Sequence, residues 1–238
     1  MAGEVRVGSA VASKPGQLVV AEVEVEVAPG PRFVSRGGVK LANALSASGV
    51  PVAARQALDV GASTGGFTDC LLAAGARSVI ALDVAYGQLS WRLRGDDRVT
   101  VIERTNARDL SPALLPYAPD LIVIDVSFIS LRTVLPAVLA CAAPRFDALA
   151  LVKPQFEVGR GRVGKGGVVR DAQARVGTLV AVGERALELG ASVLGYWSSG
   201  LPGPKGNRET FIQLAEAGRH GSLDTDGLAP AATRADGA

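Results

Sequence analysis

"QALDVGASTGGFTDCLLAAGARSVIALDV" (residues 56–84) contains a short apolar run, a glycine-rich bend, a helix-like segment and a second apolar run. Strands that are apolar throughout and separated by a helix belong in a parallel sheet covered on both faces. The rhythm continues in "VTVIER" (99–104), "PDLIVIDVSF" (119–128) and "FDALALVK" (146–153), with "LRTVLPAVLACA" (131–142) as a further helix. Right-handed crossovers then predict an α/β, doubly wound, Rossmann-like sheet. "DAQARVGTLVAVGERALELG" (171–190) reads as a helix with Asp171 as its N-cap and Gly190 as its stop. The strand-like "ASVLGYWSS" (191–199) and "ETFIQLAE" (209–216) are joined by the turn-rich "GLPGPKGNR", which predicts an antiparallel ending to the sheet.

The flanks differ. "EVRVGSAVASKPGQLVVAEVEVEV" (4–27) alternates apolar and polar residues around Lys14-Pro15-Gly16, a β-hairpin pattern assigned to residues 1–27. Residues 28–34 read as a linker. Ser35 caps the helix "RGGVKLANALSAS" (36–48), opening a main domain over 35–218. The stretch 219–238 is small and polar and is expected to be disordered.

The bulk numbers set limits. A chain of 238 residues, 48% of them apolar, suits one α/β domain with a small appendage. Its longest apolar candidate, "TVLPAVLACAAP" (133–144), is short for a membrane helix, and no secretory signal is visible. Cys70 and Cys141 lack metal-ligand spacing, and the only histidine, His220, lies in the polar tail. Imidazole triads and histidine metal sites are therefore not expected, and a cytoplasmic protein without metal or membrane contact is. The net charge of +2 leaves any nucleic-acid partner to be judged from where the basic residues fall.

Glycines Gly61, Gly65 and Gly66 lie between the first strand and its helix. There they would admit a ligand close to the backbone, and helix-starting amides would offer donors. Asp83, at the end of the next strand, is placed to accept both hydroxyls of an adenosine ribose. NAD and S-adenosylmethionine both fit that geometry. The loop reads G-A-S-T-G-G rather than G-x-G-x-x-G, and Asp59 before it suits a cationic amino group better than a pyrophosphate. S-adenosylmethionine is favoured.

Charged residues gather at strand ends. Asp125 follows the fourth strand, Lys153 closes the fifth, Glu209 opens the last, and Lys40 lies on the first helix. Ligands in such sheets bind at the carboxyl ends of the strands, so these four predict one reaction site. After Lys153 comes "GRGRVGKGGVVR" (159–170), a glycine-rich loop whose Arg160, Arg162, Lys165 and Arg170 suit a phosphate backbone. Lys205 and Arg208 lie on the neighbouring rim, with Arg32 and Arg36 near the entrance.

"RFVSRGGVKL", "LDVGASTGGFTD", "DVSFISL", "LVKPQFEVGRGRVGKGGVVRD" and "GPKGNRE" together resemble the TlyA group of ribosomal RNA 2′-O-methyltransferases, often labelled hemolysins, within the FtsJ-like methyltransferases. The resemblance spans about residues 1–215 and implies a catalytic Lys-Asp-Lys-Glu tetrad at Lys40, Asp125, Lys153 and Glu209. It implies cofactor contacts at Asp59, Gly61, Gly65, Phe67, Asp83, Asn106 and Asp125, and an rRNA or ribosomal-subunit partner. Phe67 and Asn106 depart from the tryptophan and aspartate more common in the wider group. The family usually begins with an alpha-L RNA-binding module of two helices before a hairpin, and "GEVRVGSAVASKPGQLV" matches only that module's end. Either the start codon is assigned too far downstream or the module is truncated; a truncated module is expected to leave the methyltransferase fold intact and to make RNA binding weaker and less selective. The same residues also admit an NAD-dependent oxidoreductase or a catalytically silent RNA-binding or hemolysin-like protein.

Overall fold

The computed structural model describes residues 5–14, 16–27 and 30–237, in two compact units, 1–32 and 33–238. The first unit is a small antiparallel sheet of β1 (Val5–Val7), β2 (Ala10–Val11) and β3 (Val25–Val27), in the order β2-β1-β3. The hairpin expected around Lys14-Pro15-Gly16 instead turns at Gly8-Ser9, between β1 and β2, and Val25–Val27 add a third strand on the other edge of β1. Pro15 of the expected turn and Ala28 and Pro29 of the expected linker lie outside the described residues.

The second unit runs α1 (Arg36–Ser48), β4 (Gln56–Val60), α2 (Gly66–Ala73), β5 (Ser78–Leu82), α3 (Trp91–Arg94), β6 (Val99–Ile102), β7 (Leu121–Ile124), α4 (Leu131–Leu139), β8 (Asp147–Val152), α5 (Pro154–Glu157), α6 (Ala172–Glu188), β9 (Ser192–Ser198), β10 (Thr210–Ala215) and α7 (Thr225–Gly237). Its seven strands lie in the order β6-β5-β4-β7-β8-β10-β9, and β10 runs antiparallel to both neighbours. This is the Rossmann-like α/β sheet with an antiparallel ending that the strand pattern predicts.

Side-chain alternation divides the core between the two faces. Leu58, Val60, Ile80, Leu82, Ile122 and Ile124 pack on one side with α4, α6 and α7. Ala57, Val79, Ala81, Leu121 and Val123 pack on the other with α1 and α2. The helices start where their caps dictate: the Asp171 carboxylate accepts from Gln173 N, and Ser130 Oγ accepts from Arg132 N.

The tail corrects the expectation of disorder over 219–238. Leu228, Ala231, Ala232 and Ala235 are buried in α7, at spacings of three and four residues that line up one helical face. That face packs on α6 and β9. Three of its four residues are alanines, so its periodicity is faint against a polar background.

Candidate active site

Strand direction explains how four charges distant in sequence share one edge. Asp83, Asp125 and Lys153 follow the last residues of the parallel strands β5, β7 and β8. Glu209 precedes β10, and because β10 runs the other way its start falls at the same edge, next to the end of β8 (Thr210 pairs with Val152).

The four tetrad candidates form two ion pairs. Lys40, from the second turn of α1, reaches Glu209 with Nζ 2.5 Å from Oε2, and both side chains are buried. The turn over 200–208 lies directly on this pair: a Cβ on Gly203 would stand 2.3 Å from Glu209 Oε1. Lys153 Nζ lies 2.5 Å from Asp125 Oδ1, but off the line of a good hydrogen bond; its directed bond, 2.9 Å, goes to Ser127 Oγ. Lys40 and Asp125 are the members that face a shared cavity of about 390 Å³, together with Ser35, Arg36, Gly61, Phe67 and Pro202.

At Gly61, Ser63 and Asp125 this cavity meets a second cleft of about 680 Å³, whose walls include Asp83, Asn106 and Ala107. Asp83 accepts Ser63 N on Oδ2 and Ala85 N on Oδ1, each at 2.7 Å. Each oxygen keeps capacity for one more donor. Asn106 caps a 3₁₀ turn, its Oδ1 accepting from Arg108 N, while still lining the cleft.

Two cofactor candidates, Asp59 and Gly65, lie outside both cavity linings. Asp59 is fully buried and lines neither cavity: its Oδ2 accepts from Thr68 N and Thr68 Oγ1, and its Oδ1 has no partner. It points to the α1–α2 side of the sheet, where burial raises its pKa to about 7 despite the Thr68 hydrogen bonds. Gly65 packs on the chain itself, since a Cβ there would meet Leu93 Cδ1 at 2.3 Å. Gly61 (φ +87°) lines both cavities, yet a Cβ there would also strike the Asp125 carbonyl at 2.4 Å. These glycines thus serve the fold as well as any ligand. Phe67 is a core residue packed on Phe211, with ring centroids 5.8 Å apart, that also borders the Lys40 cavity.

The basic candidates divide. Arg36 is exposed, and its guanidinium donates to the Pro202 carbonyl at 3.0 Å. Lys165 and Arg170 are exposed on the glycine loop, and Lys205 lies over that loop at Gly167. Arg162 lines a separate groove with Arg132 and Gln173 rather than the tetrad cavity. One N–H of Arg208 is taken by the Asp236 carbonyl at the end of α7, 2.5 Å away, which draws it from the rim. The side chain of Arg160 lies outside the described residues. Arg32 belongs to the first unit.

Four residues at this edge carry no role in the sequence reading. In the sequence Ser35 signals only a helix cap, and Ser127 is visible only from its bond to Lys153. Phe128 is 93% exposed with a left-handed backbone (φ +64°), its ring centroid 5.2 Å from that of Phe156. Asn207 is buried in a glycine-rich turn whose composition suggests exposure.

Among the described residues no helix is long and apolar enough to cross a membrane. Residues 33–216 match the family model described as FtsJ-like methyltransferase. The chain is 52% identical over 215 residues to the 16S/23S rRNA (cytidine-2′-O)-methyltransferase TlyA of Mycobacterium tuberculosis, covering 90% of this chain and 80% of that protein. It is 41% identical over 186 residues to hemolysin A of Brachyspira hyodysenteriae, covering 78% of each. A solved structure from Streptococcus thermophilus that carries the hemolysin name superposes with a TM-score of 0.81 at 37% identity, over 98% of this chain and 86% of that one.

Proposed function

The chain belongs to the FtsJ-like methyltransferase family, and from that premise we propose that it transfers a methyl group from S-adenosylmethionine to a ribose 2′-hydroxyl of cytidine in ribosomal RNA. The observation that carries this reading is the placement of the two ion pairs, Lys40–Glu209 and Lys153–Asp125, at the cavity joined to the Asp83 cleft.

The residues present fit the cofactor. The two oxygens of Asp83, each with room for another donor, match the two hydroxyls of an adenosine ribose. Asn106 and Ala107 form the adjoining wall for the base. The Lys40 cavity is bordered by the first residues of α1 and α2, Arg36 and Gly66, and by the Ser35 hydroxyl. Helix N-termini, a guanidinium and a hydroxyl suit the carboxylate of an amino-acid end. Asp59, held to Thr68, fixes the start of α2 beneath the loop and acts as a positioning residue.

S-adenosylmethionine, when bound there, supplies a methyl group activated by its sulfonium. The chain's own task is alignment and proton removal. Lys153, ion-paired as the ammonium at rest, acts as general base only as the neutral amine, in which form it orients the 2′-hydroxyl and takes its proton, a role typically worth about 10²–10⁴-fold in rate. Asp125 and Ser127 hold the Lys153 ammonium from two directions. Lys40 and Glu209 form the opposite wall. The four charges cancel in pairs, so the site does not repel a cationic cofactor as four lysines would. Correct alignment of nucleophile and methyl carbon then supplies much of the acceleration.

Phe128, packed against the Phe156 ring over which the Lys153 ammonium lies, offers an exposed aromatic face suited to stacking an unpaired base, as expected where RNA is read from opened strands. Lys165, Arg170 and Lys205 supply phosphate contacts on the adjoining rim.

The test is incubation with S-adenosylmethionine labelled on its methyl group and ribosomal subunits isolated from a strain lacking the modification. Label should appear on a ribose 2′-oxygen of cytidine in one or both subunits. Label on a base, or none on either subunit, would overturn the assignment.

A further inference from the structure

The glycine loop after Lys153 contains five glycines among its twelve residues (159–170), a composition that favours many conformations. Yet its second half is held in place by one side chain from elsewhere. Asn207 Oδ1 accepts from Val169 N at 2.9 Å, and Asn207 Nδ2 donates to the Gly167 carbonyl at 2.8 Å. The amide thus engages the loop as a neighbouring strand would, once as acceptor and once as donor, across 38 and 40 positions of sequence.

Asn207 is only 2% exposed, and its own carbonyl accepts from Gly203 N at 2.8 Å, in the turn that covers Glu209. A second hold comes from Arg175, whose guanidinium donates to the Arg170 carbonyl at 2.7 Å while paired to Asp236 on α7. Both holds fall on residues 167–170; the exposed Lys165 and Arg170 flank the point that Asn207 grips. Lys205, two residues before Asn207, lies over Gly167 with its Nζ 3.7 Å from the position of a Cβ there.

We propose that Asn207 is a positioning residue for RNA: its side-chain amide pins the basic loop so that Lys165, Arg170 and Lys205 form one preset phosphate-binding rim. The assignment of RNA to that rim rests on the function proposed above; the pin itself does not. Without the pin, the loop must be ordered at the moment of binding, and affinity for RNA falls by that ordering penalty. The acceptor-ribose chemistry at Lys153 is untouched, so KM for RNA should move and kcat at saturating RNA should not.

The experiment compares the full chain with Asn207→Ala and with the isosteric Asn207→Asp. The latter keeps the acceptor for Val169 N but sets a carboxylate oxygen against the Gly167 carbonyl. Limited trypsin digestion of the native proteins should cut after Lys165 about tenfold faster in both variants. Their dissociation constant for a ribosomal RNA fragment should rise about tenfold, with S-adenosylmethionine affinity and kcat unchanged. If Asn207→Ala proves too unstable to purify, Asn207→Asp carries the comparison alone. Unchanged cleavage and RNA affinity in a folded variant would overturn the inference, as would equal losses of RNA and cofactor affinity. Failure of the wild-type chain to bind any RNA would instead sink the proposed function, while the trypsin rates would still report on the pin.

Discussion

Lys40 and Glu209 are 169 positions apart in sequence and meet in an ion pair of 2.5 Å from which water is nearly excluded. Such a pair is a poor source of stability. Removing two charges from water is expensive, and their attraction returns little more than that. A chain selected for stability alone would do as well with two apolar residues at these positions. Its persistence at the rim of a cavity fits a task in binding or chemistry.

Separating stability from activity tests that task. Lys40→Met leaves the buried Glu209 carboxylate without a partner and is expected to destabilise the fold by about 3–5 kcal/mol. Adding Glu209→Leu removes the orphaned charge and should recover most of that loss in urea denaturation. Methyl transfer should stay absent in both. An active double variant would reduce the pair to a packing feature.

Lys153→Ala isolates the proton-handling step. Turnover should fall by at least 10²-fold, while calorimetric affinity for S-adenosylmethionine stays within about twofold of wild type. A variant that kept most of its turnover would remove Lys153 from the reaction. A variant that lost cofactor affinity in proportion would make it a binding residue.

Gly203→Ala asks how closely the covering turn controls Glu209. The added methyl would stand 2.3 Å from Glu209 Oε1, so either the turn or the carboxylate must shift. The shift should lower kcat by about tenfold or more while leaving the cofactor cleft at Asp83 intact, since misplacement by about 1 Å can cost about 10²-fold. Normal kcat in a folded variant would show that the position of Glu209 is not critical.

The parts of the fold visible in the sequence are those where one residue type has one physical meaning. Apolar runs such as "DLIVID" admit only a buried strand, and the charges Asp125 and Lys153 at strand ends admit few places other than the sheet edge. The less visible parts depend on small or ambiguous side chains. Ala231, Ala232 and Ala235 bury a helical face whose signal is too weak to stand out in a polar tail. Gly65 reads as room for a ligand, but its missing Cβ makes room for Leu93. Asp59 and Asp83 look alike as residues at strand ends; one step along β4 turns Asp59 into the dry side of the sheet, whereas Asp83 has already left β5 and faces the cleft.

The packing of α7 gives a direct measure of how far the tail belongs to the domain. Leu228 is fully buried, so Leu228→Ala should destabilise by about 2–5 kcal/mol through lost burial and a residual cavity. Chemical denaturation would register it. A disordered tail would show no change, and that result would detach α7 from the core.

Asp59 gives the stability a pH dependence of predictable sign. Its carboxyl is raised from 3.8 to about 7 in the folded state, chiefly by burial, so the folded chain holds this proton more tightly than the unfolded chain does. The resulting stabilisation is complete below the unfolded value, falls as the pH rises from about 4 to about 7, and is gone above that. Asp59→Asn has no such proton to lose, and its side-chain oxygen can still accept from Thr68 N and Thr68 Oγ1. Relative to wild type, the variant should therefore gain about 2–3 kcal/mol between pH 5 and pH 8, on the linkage scale of about 1.4 kcal/mol per pKa unit. Parallel stability–pH curves for the two proteins would mean that Asp59 is ionised in the fold at both pH values, and that its unpartnered oxygen has found a donor.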